Sequence, residues 1–168
     1  VASTIGAGWQ ALVAGVLVTA GRTEEPLDSV RILTNRSSGK MGVALAEEAL
    51  ARGAQVTLLA GPMDVPAPDG VAVQRIATAA ELANAAARHF PECDVLVMAA
   101  AVGDFRAART SPTKIRRGKA DLELALKANP DILAALAGQR REGQILVGFA
   151  LETENPQERG REKLERKG

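Results

Sequence analysis

Short apolar runs alternate with longer amphipathic ones along this chain. Gly15 to Ala20, Gln55 to Ala60, Val95 to Ala100 and Ile145 to Ala150 are rich in Val, Leu, Ile and Ala with few polar breaks. Runs that are apolar on both faces predict strands buried inside a parallel sheet. Val71 to Ile76 is more mixed and predicts a strand nearer an edge. Between these lie helical patterns. Lys40 to Arg52 stops at Gly53, which suits a left-handed C-terminal cap. Thr78 and Glu81 have the spacing of a capping box, opening a helix that runs to about His89. Gly61-Pro62, Pro66 and Pro68-Asp69-Gly70 mark a loop. Leu122, Leu124 and Leu126 alternate with polar or small residues and predict a half-buried strand. Asn129-Pro130-Asp131 predicts a helix start, with Asn as cap, Pro in the first helical position and Asp against the dipole, and an end near Gly138. Glu158 to Lys167 is a charged helical run, and Gly21 to Lys40 and Gly103 to Thr113 read as polar loops.

This alternation predicts an α/β fold: a Rossmann-like, mostly parallel sheet with helices on both faces. The 168 residues suit one domain, spanning 15–168 behind an N-terminal segment or linker at 1–14. In such sheets ligands settle at the carboxyl ends of the strands. The polar stretches at 21–40, 100–114 and 149–154 all fall there, which predicts one site assembled from several loops.

Composition narrows the partners. Hydrophobic residues make up 46% and argue against disorder. A net charge of +1 gives no electrostatic case for a nucleic-acid polymer, and 2% aromatics leave little for stacking bases. Ala11 to Ala20 is too short to span a membrane, and no signal peptide precedes it, so a cytoplasmic setting is the default expectation. A start at Val1 suggests an excised domain. One cysteine, Cys93, excludes an internal disulfide framework, and it reads as a small semi-buried residue. His89 reads as a solvated helix-end residue; no His/Cys cluster suggests zinc.

The stretch Asn35-Arg36-Ser37-Ser38-Gly39-Lys40-Met41-Gly42 carries the strongest chemistry. Small residues at a loop–helix junction leave backbone N–H groups open to an anion, and the helix dipole favours negative charge there. Asn35 adds an amide and Lys40 a point charge. A plain N-cap by Ser37 or Ser38 fits the same residues, but the gathering of loops at one sheet edge favours a phosphate or carboxylate site. It is not a nucleotide P-loop: Thr34 and Met41 stand where that motif needs Gly and Ser or Thr. Nor does a dinucleotide Gly fingerprint follow the first strand. Asp104, after a buried strand, could hold a magnesium ion on a triphosphate or bond its own turn. Lys114, in the basic run with Arg116, Arg117 and Lys119, could close over phosphates or lie on a solvated face. Lys163 and Lys167 share a helix face by spacing, in a run crowded with other charges.

Taken in order, Thr19-Ala20-Gly21, Glu25-Pro26-Leu27-Asp28, Val30-Arg31, Thr34 to Gly42, Ala99 to Arg106, Lys114 to Arg117, Lys127 to Leu133 and Val147 to Thr153 resemble the phosphopantothenoylcysteine synthetase family over about residues 15 to 168. The resemblance implies a ligase of coenzyme A biosynthesis. CTP would activate the carboxylate of 4′-phosphopantothenate as an acyl-cytidylate, with release of pyrophosphate. L-cysteine would then attack, giving the amide and CMP. By the same resemblance Asn35 acts on the acyl-cytidylate and Lys114 stabilises the triphosphate. Ser37, Ser38 and Gly39 cradle the phosphopantothenate phosphate. Met98, Ala99 and Ala100 lie along the cytosine or ribose, and Asp104 sits near the triphosphate and its Mg2+. Asn129, Pro130, Asp131 and Ile132 read the base through backbone groups, and Phe149, Lys163 and Lys167 add CTP contacts. The resemblance also implies a homodimer and, in many bacteria, fusion to a flavin-dependent decarboxylase.

The chain departs from that pattern at Arg22, where relatives carry a small residue or Pro, and at Glu24, where many carry Arg. Gly103, Phe105 and Leu151 are mild departures. Relatives continue past Gly168, so the resemblance implies a C-terminally truncated domain. Two other readings compete. One is a truncated, non-catalytic CTP-binding domain. The other is an NAD(P)-binding oxidoreductase, against which stand the missing Gly fingerprint and the absence of Tyr.

Overall fold

The structure, a computed structural model, describes residues 14–118 and 121–149 together with 155, 158 and 160–162. In chain order the elements are β1 (Gly15–Ala20), β2 (Glu24–Pro26), β3 (Ile32–Thr34), α1 (Lys40–Ala51), β4 (Gln55–Ala60), β5 (Ala72–Arg75), α2 (Ala79–His89), β6 (Val95–Met98), β7 (Phe105–Ala107), β8 (Leu126–Ala128), α3 (Ile132–Ala137) and β9 (Ile145–Gly148). Five strands form one sheet in the order β5-β4-β1-β6-β9, and every pairing in it is parallel. This is the α/β architecture the apolar runs predict, with β5 at an edge as its mixed sequence requires.

Period-two alternation divides each central strand between two cores. On one face Leu17, Leu59, Leu96 and Met98 pack with Leu82, Ala85 and Ala86 of α2, with Phe90, and with Ile132 and Leu136 of α3. On the other, Val18, Ala20, Val56, Leu58 and Ala60 pack with Ala46 of α1. Helices therefore cover both faces. The helix α1 ends as its sequence predicts, with Gly53 at φ 85 beyond the last turn. The capping pair of α2 is also present: Thr78 Oγ1 accepts from the N–H of Glu81 at 3.2 Å, while Glu81 Oε2 accepts from the N–H of Ala77 at 2.7 Å.

Four expectations need correction. The stretch read as a loop between Gly21 and Lys40 contains the antiparallel pair β2–β3, whose strands are too short and too polar to announce themselves. The strand read through Leu122, Leu124 and Leu126 is only β8. It pairs with β7 inside the other presumed loop, and Leu122 and Leu124 are exposed. The helix α3 starts at Ile132 with Asp131 as its cap, accepting from the N–H of Ala134 at 3.1 Å, so Asn129 is not the cap and Pro130 precedes the helix. His89 is half-buried and bonds Gln74 at 2.9 Å instead of facing solvent.

The strand order reverses beside β1. The chain leaves β1 toward β4 and β5, then returns to place β6 on the other side. Such a switch point opens a crevice at the carboxyl ends of the two flanking strands. The pairs β2–β3 and β7–β8 stand on the connections that leave this end of β1 and β6. Among the described residues no helix is long and apolar enough to cross a membrane.

Candidate active site

The N-terminus of α1 is brought to the end of β1 by two glycines. Gly39, the N-cap, has φ 81, a conformation that disfavours any side chain, and an added Cβ would meet Met63 Cγ at 2.7 Å. Gly42 lies so close to β1 that a Cβ would come within 2.5 Å of Ala20 Cβ and 2.8 Å of Thr19 O. Neither serine caps the helix by its side chain in the usual way: Ser37 Oγ accepts from the N–H of Gly39 at 3.3 Å and Ser38 Oγ from that of Lys40 at 3.5 Å. The first intrahelical bond runs from the N–H of Val43 to Gly39 O at 3.0 Å. The N–H groups of Met41 and Gly42 precede it, as the orphan donors of a helix start do.

An open cleft of about 610 Å³ lies against this turn, lined by Arg22, Thr34, Asn35, Arg36, Ser37, Ser38 and Asp64. Asn35 and the Ser37–Ser38 turn thus share one cavity. Asn35 Nδ2 donates to Val102 O at 2.9 Å, which ties the cleft to the loop after β6. Thr34 Oγ1 donates to Thr23 O at 2.7 Å, and Thr23 Oγ1 accepts from the N–H of Gly103 at 2.9 Å. Ala101 N–H bonds Gly21 O at 2.8 Å. These bonds sew the connections after β1, β3 and β6 into one rim.

Arg22 and Glu24, two of the departures noted in the sequence, are partners. Arg22 Nε donates to Glu24 Oε1 at 3.1 Å, and Nη1 donates to Ser37 O at 3.0 Å and Asp64 Oδ1 at 3.2 Å. The hydrogen bonds to Asp64 and then Glu24 hold the guanidinium above its ordinary pKa. Its charge is met by these two carboxylates, and the carbonyl of Ser37 ties the cluster to the Ser37–Ser38 turn. Arg22 is not among the site residues expected from the motifs. Its side chain comes there from another strand's connection, which no local motif announces.

A second cluster forms on the β6 side. The N–H of Asn129 bonds Asp104 O at 2.8 Å, and Asn129 Nδ2 donates to Gly103 O at 2.8 Å. Arg106 Nη1 donates to Asn129 Oδ1 and to Ala128 O, each at 2.7 Å. Asp104 is exposed. Ala99 and Ala100 are half-buried at the strand end, but the side chains of Met98 and Ile132 belong to the core, so these two residues can offer a ligand only backbone. Pro130 and Asp131 are exposed beside Asn129, and Phe149 is exposed beyond β9. Lys114 is exposed and does not line the cleft. Lys163 and Lys167 lie outside the described residues.

The segment that carries Lys114 is anchored by a buried carboxylate. Asp28 Oδ2 accepts from the N–H of Ile115 at 3.0 Å, and Arg31 Nη1 and Nη2 each donate to Ile115 O at 3.2 Å. Burial opposes the charge on Asp28. The N–H groups of Ile115, Val30 and Arg31 and the Arg31 cation outweigh that and pull its pKa down to about 2.

Among the described residues no three His, Cys, Asp or Glu side chains gather as a metal cage. Mg2+ bound with a triphosphate needs only one or two carboxylates, since phosphates and water fill its other positions. Asp104, exposed beside Asn129, could supply one such carboxylate. Cys93 is buried, donates to Phe90 O at 3.4 Å, and has its thiol pushed up by burial, as befits a structural residue.

The profile of the family described as "DNA/pantothenate metabolism flavoprotein C-terminal domain" matches residues 13–168. Two curated relatives illustrate the likeness. The coenzyme A biosynthesis bifunctional protein CoaBC of Mycobacterium tuberculosis H37Rv is 46% identical over 164 residues, covering 91% of this chain and 39% of that protein. A protein named cysteine/cysteine sulfinic acid decarboxylase, from an unknown prokaryotic organism, is 44% identical, covering 90% of this chain and 43% of its own length. The chain thus spans about two fifths of these relatives. The crystal structure of the C-terminal domain of CoaBC superposes with a TM-score of 0.80 at 37% identity, covering 92% of this chain and 72% of that one. A Cab2 variant in complex with phosphopantothenate-cysteine shares the fold, with a TM-score of 0.76 at 21% identity over 92% of this chain and 70% of that one.

Proposed function

The chain belongs to the family of the DNA/pantothenate metabolism flavoprotein C-terminal domain, and from that membership we propose that it is a phosphopantothenate–cysteine ligase of coenzyme A biosynthesis that uses CTP. The observation that carries the reading is the cleft, where Asn35, Ser37 and Ser38 line one cavity with Arg22, just ahead of the N-terminus of α1. The names of the CoaBC relatives and the phosphopantothenate-cysteine bound by the Cab2 variant support the substrate class.

In the first step a carboxylate oxygen of 4′-phosphopantothenate bonds the α-phosphorus of CTP, and the bond to the β-phosphate oxygen breaks, releasing pyrophosphate. In the second the amine of L-cysteine bonds the acyl carbon, the acyl–oxygen bond to CMP breaks, and the amine loses a proton. The first step develops negative charge on the departing pyrophosphate. Lys114 would neutralise it. Ser37, Ser38 and the N–H groups that open α1 would hold the phosphate of phosphopantothenate, with Arg22 beside them. The Asn35 amide would contact the reacting carbonyl of the acyl-cytidylate, fixing it for attack. Met98 to Ala100 and Asn129 to Ile132 would offer the nucleotide mainly backbone groups, with Phe149, Lys163 and Lys167 as further contacts. Mg2+, held through Asp104 and the phosphates, would screen the triphosphate charge.

The exposed apolar residues Phe105, Leu126, Ile145, Val147 and Phe149 support a homodimer, since a second copy would remove them from water. In a longer parent a flavin-dependent decarboxylase would precede this domain, as the family resemblance implies; the CoaBC relatives are named bifunctional and are more than twice as long as this chain. The test is pyrophosphate release from CTP and magnesium with 4′-phosphopantothenate, with and without cysteine. Release that needs phosphopantothenate, followed by CMP and an amide only when cysteine is added, supports the ligase. A folded protein that binds CTP without releasing pyrophosphate overturns it in favour of a binding domain.

A further inference from the structure

We propose that Asp28 and Arg31 are positioning residues that lock the segment bearing Lys114 onto the β2–β3 hairpin, and so set where that lysine meets the triphosphate. This rests on the ligase reading for its chemistry, though the lock itself does not.

The pair grips both polar groups of one residue. Asp28 accepts the N–H of Ile115, while two nitrogens of Arg31 bind the carbonyl of Ile115. The two side chains also bond each other, and Asp28 Oδ1 accepts the N–H groups of Val30 and Arg31 at 2.8 Å each. The Asp28 side chain is fully buried, whereas Lys114 and Arg116 on either side of Ile115 are exposed. A buried, fully bonded carboxylate under an otherwise exposed basic loop fixes one residue and leaves its neighbours free to point outward. A second tether, the N–H of Ser111 to Leu27 O at 3.0 Å, holds the same segment to the same turn. The hairpin then leads through Thr34 directly to Asn35. One rigid unit thus carries the residue proposed for the second chemical step and anchors the one proposed for the first. An error of an ångström in placing a charge matters at this level.

The variants are Asp28→Asn, whose single oxygen must forfeit either the N–H of Ile115 or those of Val30 and Arg31, and Arg31→Met, a change at a partly exposed side chain that removes both donors to the carbonyl of Ile115. Two readouts are taken on the whole chain. The first is hydrogen exchange at the Ile115 amide, expected to quicken about tenfold, as for one lost hydrogen bond. The second is phosphopantothenate-dependent pyrophosphate release, whose kcat should fall on the order of tenfold to a hundredfold with little change in KM. Arg31→Lys, which keeps the charge but only one donor toward Ile115 O, should recover part of both.

Unchanged exchange in a folded variant overturns the lock. Faster exchange with unaltered kcat overturns the positioning role. A wild-type protein that releases no pyrophosphate overturns the ligase reading and the positioning of Lys114 with it, and exchange still decides the lock.

Discussion

The side-chain amide of Asn35 donates to the carbonyl of Val102 at 2.9 Å, across 67 residues of chain. This bond hooks the turn before α1 to the loop after β6 and fixes which way the amide faces. An aspartate there cannot donate and would set a negative charge against the carbonyl. Asn35→Asp should therefore impair the cysteine step while pyrophosphate release continues, so that acyl-cytidylate accumulates. Quenched-reaction mass analysis would detect it. Normal amide formation by the variant would remove Asn35 from the second step.

Lys114→Gln keeps a polar donor on a side chain one bond shorter and removes the charge. Pyrophosphate release should slow on the order of a hundredfold, as when one pre-set charge or donor is taken from a transition state. The thermal midpoint should hardly move, because Lys114 is exposed. A variant with an unaltered first half-reaction would exclude the lysine from it.

Glu25 is buried and its Oε1 accepts the N–H of Ala79 at 2.8 Å, where α2 begins. Glu25→Ala leaves that donor without its acceptor and should cost about 1–3 kcal/mol. Glu25→Gln keeps an acceptor and should cost less. Urea unfolding of the two variants checks the order; equal losses would mean that the bond contributes little.

Gly42 has no room for a side chain against Ala20 and Thr19. Gly42→Ala should destabilise the protein by about 1–3 kcal/mol through overpacking. Because it pushes the start of α1 off β1, it should also raise KM for phosphopantothenate. A stable variant with wild-type KM would show that the helix start need not sit so close.

The low pKa of Asp28 gives a pH signature. A carboxyl depressed from 3.8 to about 2 stabilises the fold above its unfolded value and loses that contribution as pH falls toward 2. Wild type should therefore exceed Asp28→Asn in stability at neutral pH, and the gap should close between 3.8 and about 2. Denaturant titrations across that range test this; a gap that persists at the acid end contradicts it.

Features that depend on neighbours a few residues apart are legible along the chain. Apolar runs marked β1, β4, β6 and β9, Gly53 marked the end of α1, and Thr78 with Glu81 marked the start of α2. The turn from Asn35 to Gly42 was legible too, because small residues before a helix say the same thing in any context. Tertiary structure decided the rest. β2, β3, β7 and β8 are each three residues long and exist because a partner strand satisfies their backbone. Asn129 has the look of a cap, but Gly103 and Arg106 engage its side chain, and Asp131 takes the helix. The Asp28 grip on Ile115 joins residues 87 apart, and Arg22 reaches Asp64 across 42. Such bonds have no period and no local signature. They form only when the sheet has brought the connections of several strands to one edge.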